Sequence, residues 1–112
     1  MIAASIAFFA LAAILGVLLL TMVLKDRNRP KGVLFLHGGM AATGVALLIV
    51  YSLSRSPRPI ESLILFLVAA SGGIFMGVRD LLAYKVPKWL AVGHGLLAVA
   101  GFGFLLYFAF VY

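Results

Sequence analysis

The chain contains no cysteine, which excludes disulfides, iron–sulfur ligation and thiol chemistry. Acidic residues are almost as scarce: Asp26, Glu61 and Asp80 stand against nine Lys and Arg. None of these charges lies in the core of a long apolar run. A small proton-coupled exporter normally needs a carboxylate at such a depth, so this composition counts against that class. No Ser–His–Asp arrangement and no nucleic-acid module is visible. The stretch KGVLFLHGG is not a phosphate loop, because it lies inside an apolar run with no strand before it.

What remains is hydrophobic. Of 112 residues, 65% are hydrophobic and 11% charged, and a soluble domain of this size has too much surface to carry that balance. Four runs account for it: Ile2–Leu24, Gly32–Leu53, Ser62–Val78 and Trp89–Val111. A helix rising 1.5 Å per residue needs roughly 20 such residues to cross the hydrocarbon core. The third run is the shortest and can borrow from Pro59–Glu61. The runs are continuous and rich in Leu and Ala, which argues against strands. The expected fold is an all-α integral membrane four-helix bundle, with residues 1–112 forming one transmembrane domain in contact with the bilayer. The first run does not read as a cleavable signal peptide: no Lys or Arg precedes it, it is too long, and basic residues follow it.

The net charge of +6 has an economical explanation in orientation rather than in nucleic acid. The first connection carries Lys25, Arg27, Arg29 and Lys31, and the third carries Arg79, Lys85 and Lys88. The middle one has only Arg55 and Arg58. This bias places the first and third connections in the cytoplasm and both termini outside a bacterial-type inner membrane. Tyr84 and Trp89 then anchor one interface, and Tyr51, Tyr107 and Tyr112 the other.

The chain also repeats itself. PKGVLFLHGGMAATG at residues 30–44 and PKWLAVGHGLLAVAG at 87–101 share six identities in fifteen positions, 57 residues apart. Each is preceded by M-x-[LV]-[KR]-D, MVLKD at 22–26 and MGVRD at 76–80. The expected organisation is two tandem helical hairpins, about 1–55 and 58–112, in parallel orientation. Spans two and four then run the same way. Each histidine follows its lysine by six residues, about 9 Å along a helix, so His37 and His94 should lie at equal depth. The prolines fit a helix's first turn. Asp26 and Asp80, beside Lys25 and Arg79, read as solvated loop charges.

A histidine at this depth usually faces the bundle interior with a partner or cofactor. His37, Ala41 and Gly44 share one helical face, as do His94, Ala98 and Gly101. Gly38 and Gly95 flank the rings, and Gly39 and Gly93 add further room. A ligand nitrogen heading a shallow groove of small residues is what a flat macrocycle held edge-up between helices requires. Neutral imidazole is a standard axial ligand to haem iron, and facing helices of a bundle are a usual site for it.

With these two histidines and their glycines in a four-span bundle, the sequence resembles the small bacterial four-helix membrane b-type cytochromes. That resemblance implies haem b, with iron on His37 and His94, between the second and fourth spans near the cytoplasmic side. It implies one-electron transfer, since two imidazoles leave no open position for oxygen chemistry. Larger relatives of that kind commonly hold two haems on four histidines. The two present here imply one bis-histidine haem per chain, or haems shared across a homodimer. Propionates would turn to the basic edge, where Arg29, Lys31, Arg79, Lys85 and Lys88 are candidate partners. A quinol, a soluble reductase, superoxide or ferric iron would exchange the electron.

Other readings stand beside this one. Small residues in membrane helices commonly serve packing, as Gly38 with Ala42 or Gly72, Gly73 and Gly77 could, and a histidine pair can bond across helices or relay protons without metal. The chain would then be a small transporter or an assembly subunit. Two histidines without carboxylate or thiolate make a poor closed zinc site. Met22, Met40 and Met76 read as apolar filling rather than copper ligands.

Overall fold

The computed structural model describes residues 1–112. The chain folds into four helices, α1 (Ile2–Leu24), α2 (Lys31–Ser54), α3 (Ile60–Leu81) and α4 (Lys88–Val111), with no strand. Each is long and apolar enough to cross a membrane, and the chain is a multi-pass membrane protein. The third helix gains length at both ends over its apolar run. It starts after Pro59 and continues through Arg79 and Asp80 to Leu81.

The burial pattern suits lipid rather than water. Large apolar side chains face outward on every helix, Ile14, Phe35, Ile74 and Phe110 among them, whereas Ser5, Ser52 and Ser62 are buried. In lipid nothing drives Leu inward, so the interior goes to residues that pack closely or form hydrogen bonds. Ser5 illustrates this: its hydroxyl donates to the Gly44 carbonyl of α2 at 3.0 Å.

The helices form a ring in which α1 packs on α2 and α4, and α3 on α2 and α4, while the diagonal pairs α1/α3 and α2/α4 do not approach closely. Side chains bridge both diagonals. Phe9 of α1 and Phe66 of α3 stack with ring centres 3.8 Å apart and planes 4° from parallel. Leu48 and Leu105, fully enclosed, complete that cluster. Phe9 with Phe66, and Leu48 with Leu105, are separated by 57 residues.

The same spacing governs the ends of the helices. Pro30 and Pro87 are the N-caps of α2 and α4, with nearly identical backbone angles of −60°/130° and −63°/129°. Their carbonyls accept from the N–H of Leu34 and Ala91, each at 3.1 Å. The prolines therefore precede the first turn rather than occupying it. At the other end, Asp26 and Ala83 both take the left-handed conformation, at φ 54° and 62°. Around Asp26, Arg27 N–H donates to Met22 O and Asp26 N–H to Val23 O; around Ala83, Tyr84 N–H donates to Arg79 O and Ala83 N–H to Asp80 O. Both are Schellman caps.

This corrects one sequence correspondence. The MVLKD and MGVRD segments match at a spacing of 54, but the helix starts, C-caps and central core pairs of the structure match at 57. Asp26 corresponds to Ala83, and Asp80 to Val23. A difference of three residues is not a whole turn, so the segment similarity falls on a rotated helix face.

The two aspartates are also not free loop charges. Asp80 takes a two-pronged ion pair from Arg29, with Nε at 3.0 Å and Nη2 at 2.8 Å, in a largely enclosed setting. Asp26 is paired with Lys88 at 3.1 Å and is more exposed. Each carboxylate thus ties the end of an odd helix to the start of an even helix in the opposite half. Neither pairs with its sequence neighbour.

Candidate functional site

His37 and His94 meet on the bundle axis. Their ring centres are 6.3 Å apart and the planes are 77° from parallel. They project from α2 and α4, the diagonal pair, and are each half-buried. No other side chain of metal-binding type joins them.

Each ring is held from the side by an odd helix. His37 Nδ1 bonds the Ala12 carbonyl at 2.8 Å, and His94 Nδ1 bonds the Ala69 carbonyl at 2.7 Å. A carbonyl can only accept, so the proton of each neutral ring is on Nδ1 and the lone pair is on Nε2. Neither Nε2 has a hydrogen-bond partner in the protein.

The helix carbonyl is free to take a second bond because of the residue one turn later. A carbonyl has two lone pairs, one of which serves the helix. Gly16 and Gly73 follow Ala12 and Ala69 by four residues. A Cβ built on Gly16 would come within 3.0 Å of His37 Cε1, and one on Gly73 within 3.0 Å of His94 Cε1. Both are tighter than nearly all real Cβ contacts, so glycine lets the rings lie this close to the carbonyls without displacement. In lipid the alternative would be a ring N–H with no acceptor, which is costly.

Of the small residues expected around the rings, Gly44 and Gly101 are buried and Ala41 and Ala98 half-buried, on the inward faces. The surface they form is already covered. A Cβ on Gly44 would meet Phe9 at 3.0 Å, and one on Gly101 would meet Phe66 at 3.3 Å. Gly44 and Gly101 therefore receive the phenylalanine stack rather than forming an open groove. At Gly38, Gly39, Gly93 and Gly95 an added Cβ would meet no residue beyond its immediate chain neighbours within 4 Å, so these glycines open no space against another helix.

The expected cations are similarly sorted. Arg29 and Lys88 are committed to Asp80 and Asp26. Arg79 donates to the Lys85 carbonyl at 2.9 Å and lies over the rings of Phe75 and Tyr84. Lys31 and Lys85 have no carboxylate partner.

The donor set fits a bis-imidazole metal centre on two counts. A metal-ligating histidine ordinarily donates its second ring N–H to a backbone carbonyl or carboxylate, which fixes the tautomer; both rings here already do so. With metal–nitrogen bonds of about 2.0–2.1 Å and a ring nitrogen about 1.1 Å from its ring centre, two imidazoles could share one metal with ring centres up to about 6.2–6.4 Å apart. The observed spacing of 6.3 Å lies at that limit.

No protein-family model, curated protein or solved structure matches the chain.

Proposed function

We propose that the chain is a membrane haem b protein that transfers single electrons, with His37 and His94 as the two axial ligands. One observation carries the reading. Two imidazoles, each with Nδ1 on a backbone carbonyl and Nε2 unpartnered, have ring centres 6.3 Å apart, a spacing compatible with an iron between them. Both ligands come from one chain, which favours one iron per chain over a centre shared by a homodimer.

An iron porphyrin held by these two histidines would supply a one-electron couple. The protein's part is to hold the ligands. Ala12 and Ala69 fix the orientation and tautomer of the rings, leaving Nε2 as the ligating atom. Gly16 and Gly73 admit the rings, and the Phe9–Phe66 stack closes the axis on the side away from the basic end. Lys31 remains as a cation for the propionates. The charge bias between the connections supports an orientation with this end in the cytoplasm and the termini outside the inner membrane. A quinol or a soluble redox protein is the expected exchange partner.

The test is the absorption spectrum of protein purified in detergent after expression with added haem. A sharp Soret band and a reduced α-band of low-spin b haem are expected. His37→Ala and His94→Ala should each abolish most of the bound haem. Colourless wild-type protein refutes the proposal, and loss on only one substitution refutes a single iron held by both rings.

A further inference from the structure

Beyond the histidines, the basic end contains a second built feature. A cavity of about 360 Å³ lies between the first and third connections. Arg27, Asn28, Arg29 and Lys85 line it, Val23 and Val86 contribute apolar walls, and Asp26 also borders it. The charges are not equivalent. Arg29 is occupied by Asp80 and by the Arg27 carbonyl, and Asp26 by Lys88. Arg27 and Lys85 have no carboxylate partner. After internal pairing, the cavity presents a guanidinium, an ammonium and the Asn28 amide, with up to ten N–H donors in total.

That donor set suits a phosphate group, which offers several acceptor oxygens and negative charge. The location narrows the source. Both connections join helices that cross the bilayer, so the cavity is at the level of the phospholipid headgroups. Basic pockets between membrane helices are a recurrent way of holding anionic lipid headgroups. We infer that this cavity is a binding site for the headgroup of an anionic phospholipid, recognised by Arg27, Lys85 and Asn28. The site bridges the first and second halves of the chain, so an occupied cavity braces them together at this end.

The inference does not depend on haem. Protein in neutral detergent would be supplied with phosphatidylglycerol, phosphatidylcholine or inorganic phosphate, and retained molecules counted by native mass spectrometry. One phosphatidylglycerol per chain should be retained in preference to phosphatidylcholine. Arg27→Gln/Lys85→Gln should weaken retention about tenfold or more, while Lys25→Gln/Lys31→Gln, with the same charge removed from the same end outside the cavity, should change it less than about twofold. Circular dichroism checks that the variants remain helical, and Lys85→Gln alone serves if the double variant does not fold. Equal losses in the two double variants would overturn the site in favour of a diffuse basic surface. Equal retention of the two lipids, or inorganic phosphate bound as well as phosphatidylglycerol, would overturn it also.

Discussion

Replacing Gly16 by alanine isolates what holds the histidines. The added methyl would lie 3.0 Å from His37 Cε1, well inside contact distance, and the ring is pinned on the other side by its bond to the Ala12 carbonyl. The ring must give by a few tenths of an ångström, which strains that bond or pushes α1 and α2 apart. Overpacking of this kind costs about 1–3 kcal/mol. Loss of the interhelical hydrogen bond adds about 0.6 kcal/mol, the average for membrane helices. Alanine's better helix propensity returns up to about 1 kcal/mol. The net expectation is a destabilisation of about 1–3 kcal/mol, with Gly73→Ala behaving alike through His94.

Gly38→Ala is the control. Gly38 adjoins His37 in sequence, yet no residue beyond its chain neighbours lies within 4 Å of its added Cβ, so no other helix is displaced and the propensity gain dominates. It should be neutral or stabilising by up to about 1 kcal/mol. The assay is thermal or denaturant unfolding in detergent, with haem content per chain measured on the same samples. Gly16→Ala should lose both stability and haem, and Gly38→Ala neither. Equal effects from the two, or a harmless Gly16→Ala, would refute the assignment of Gly16 as the residue that seats the ring.

Two further outcomes follow from the caps and ion pairs. Asp80→Asn breaks the two-pronged, largely enclosed pair with Arg29 and should destabilise by about 1–2 kcal/mol, less than a fully buried pair would lose; Asp26→Asn breaks only the exposed pair with Lys88 and should cost at most about 1 kcal/mol. Parallel unfolding curves rank them, and the reverse order would contradict the geometry. Ala83→Gly should stabilise by about 1 kcal/mol, because Ala83 holds φ at 62° where a Cβ is strained; a destabilised variant would show that this cap is not formed.

The fold was legible because spanning a bilayer is a demand on length and composition alone. Four runs could be counted, and α3 outgrew its apolar stretch at both ends, through Ile60 and Glu61 and through Arg79 and Asp80, where an interface helix tolerates charge. Equal depth for His37 and His94 was legible too, since each follows the same Pro-Lys start by the same number of residues. The surroundings of the rings were not. Gly38 and Gly95 drew attention by adjacency, but neighbours along a helix point about 100° apart. The residues that matter are Ala12 with Gly16 and Ala69 with Gly73, on the other helices. An A-x3-G pair is commonplace in runs this rich in Ala and Gly, and only its recurrence 57 residues on marks it. The stronger-looking MVLKD and MGVRD similarity has a different spacing and so hid that signal. The ion pairs were missed for a related reason: Lys25 and Arg79 are the nearest cations along the chain, while the actual partners lie in the opposite half.

One departure from the internal symmetry bears on how the site keeps its geometry. Under the spacing of 57, Arg29 corresponds to Val86 and Asp80 to Val23. On one side of the bundle the two positions form an ion pair; on the other, Val23 and Val86 share a buried apolar cluster with Ala91. Two identical hairpins would present the same pair twice and could associate in either sense. Here, any arrangement that sets Arg29 or Asp80 against a valine leaves a charge enclosed without its partner, which costs more than the native pair contributes. The charged pair therefore selects one arrangement of the halves. Arg29 precedes His37 by eight residues, about 12 Å along the chain's path into α2, so the constraint acts close to the rings. Two imidazoles can share one iron only if α2 and α4 keep a common level. The broken symmetry at the basic end opposes any slip between the halves that would take them out of line.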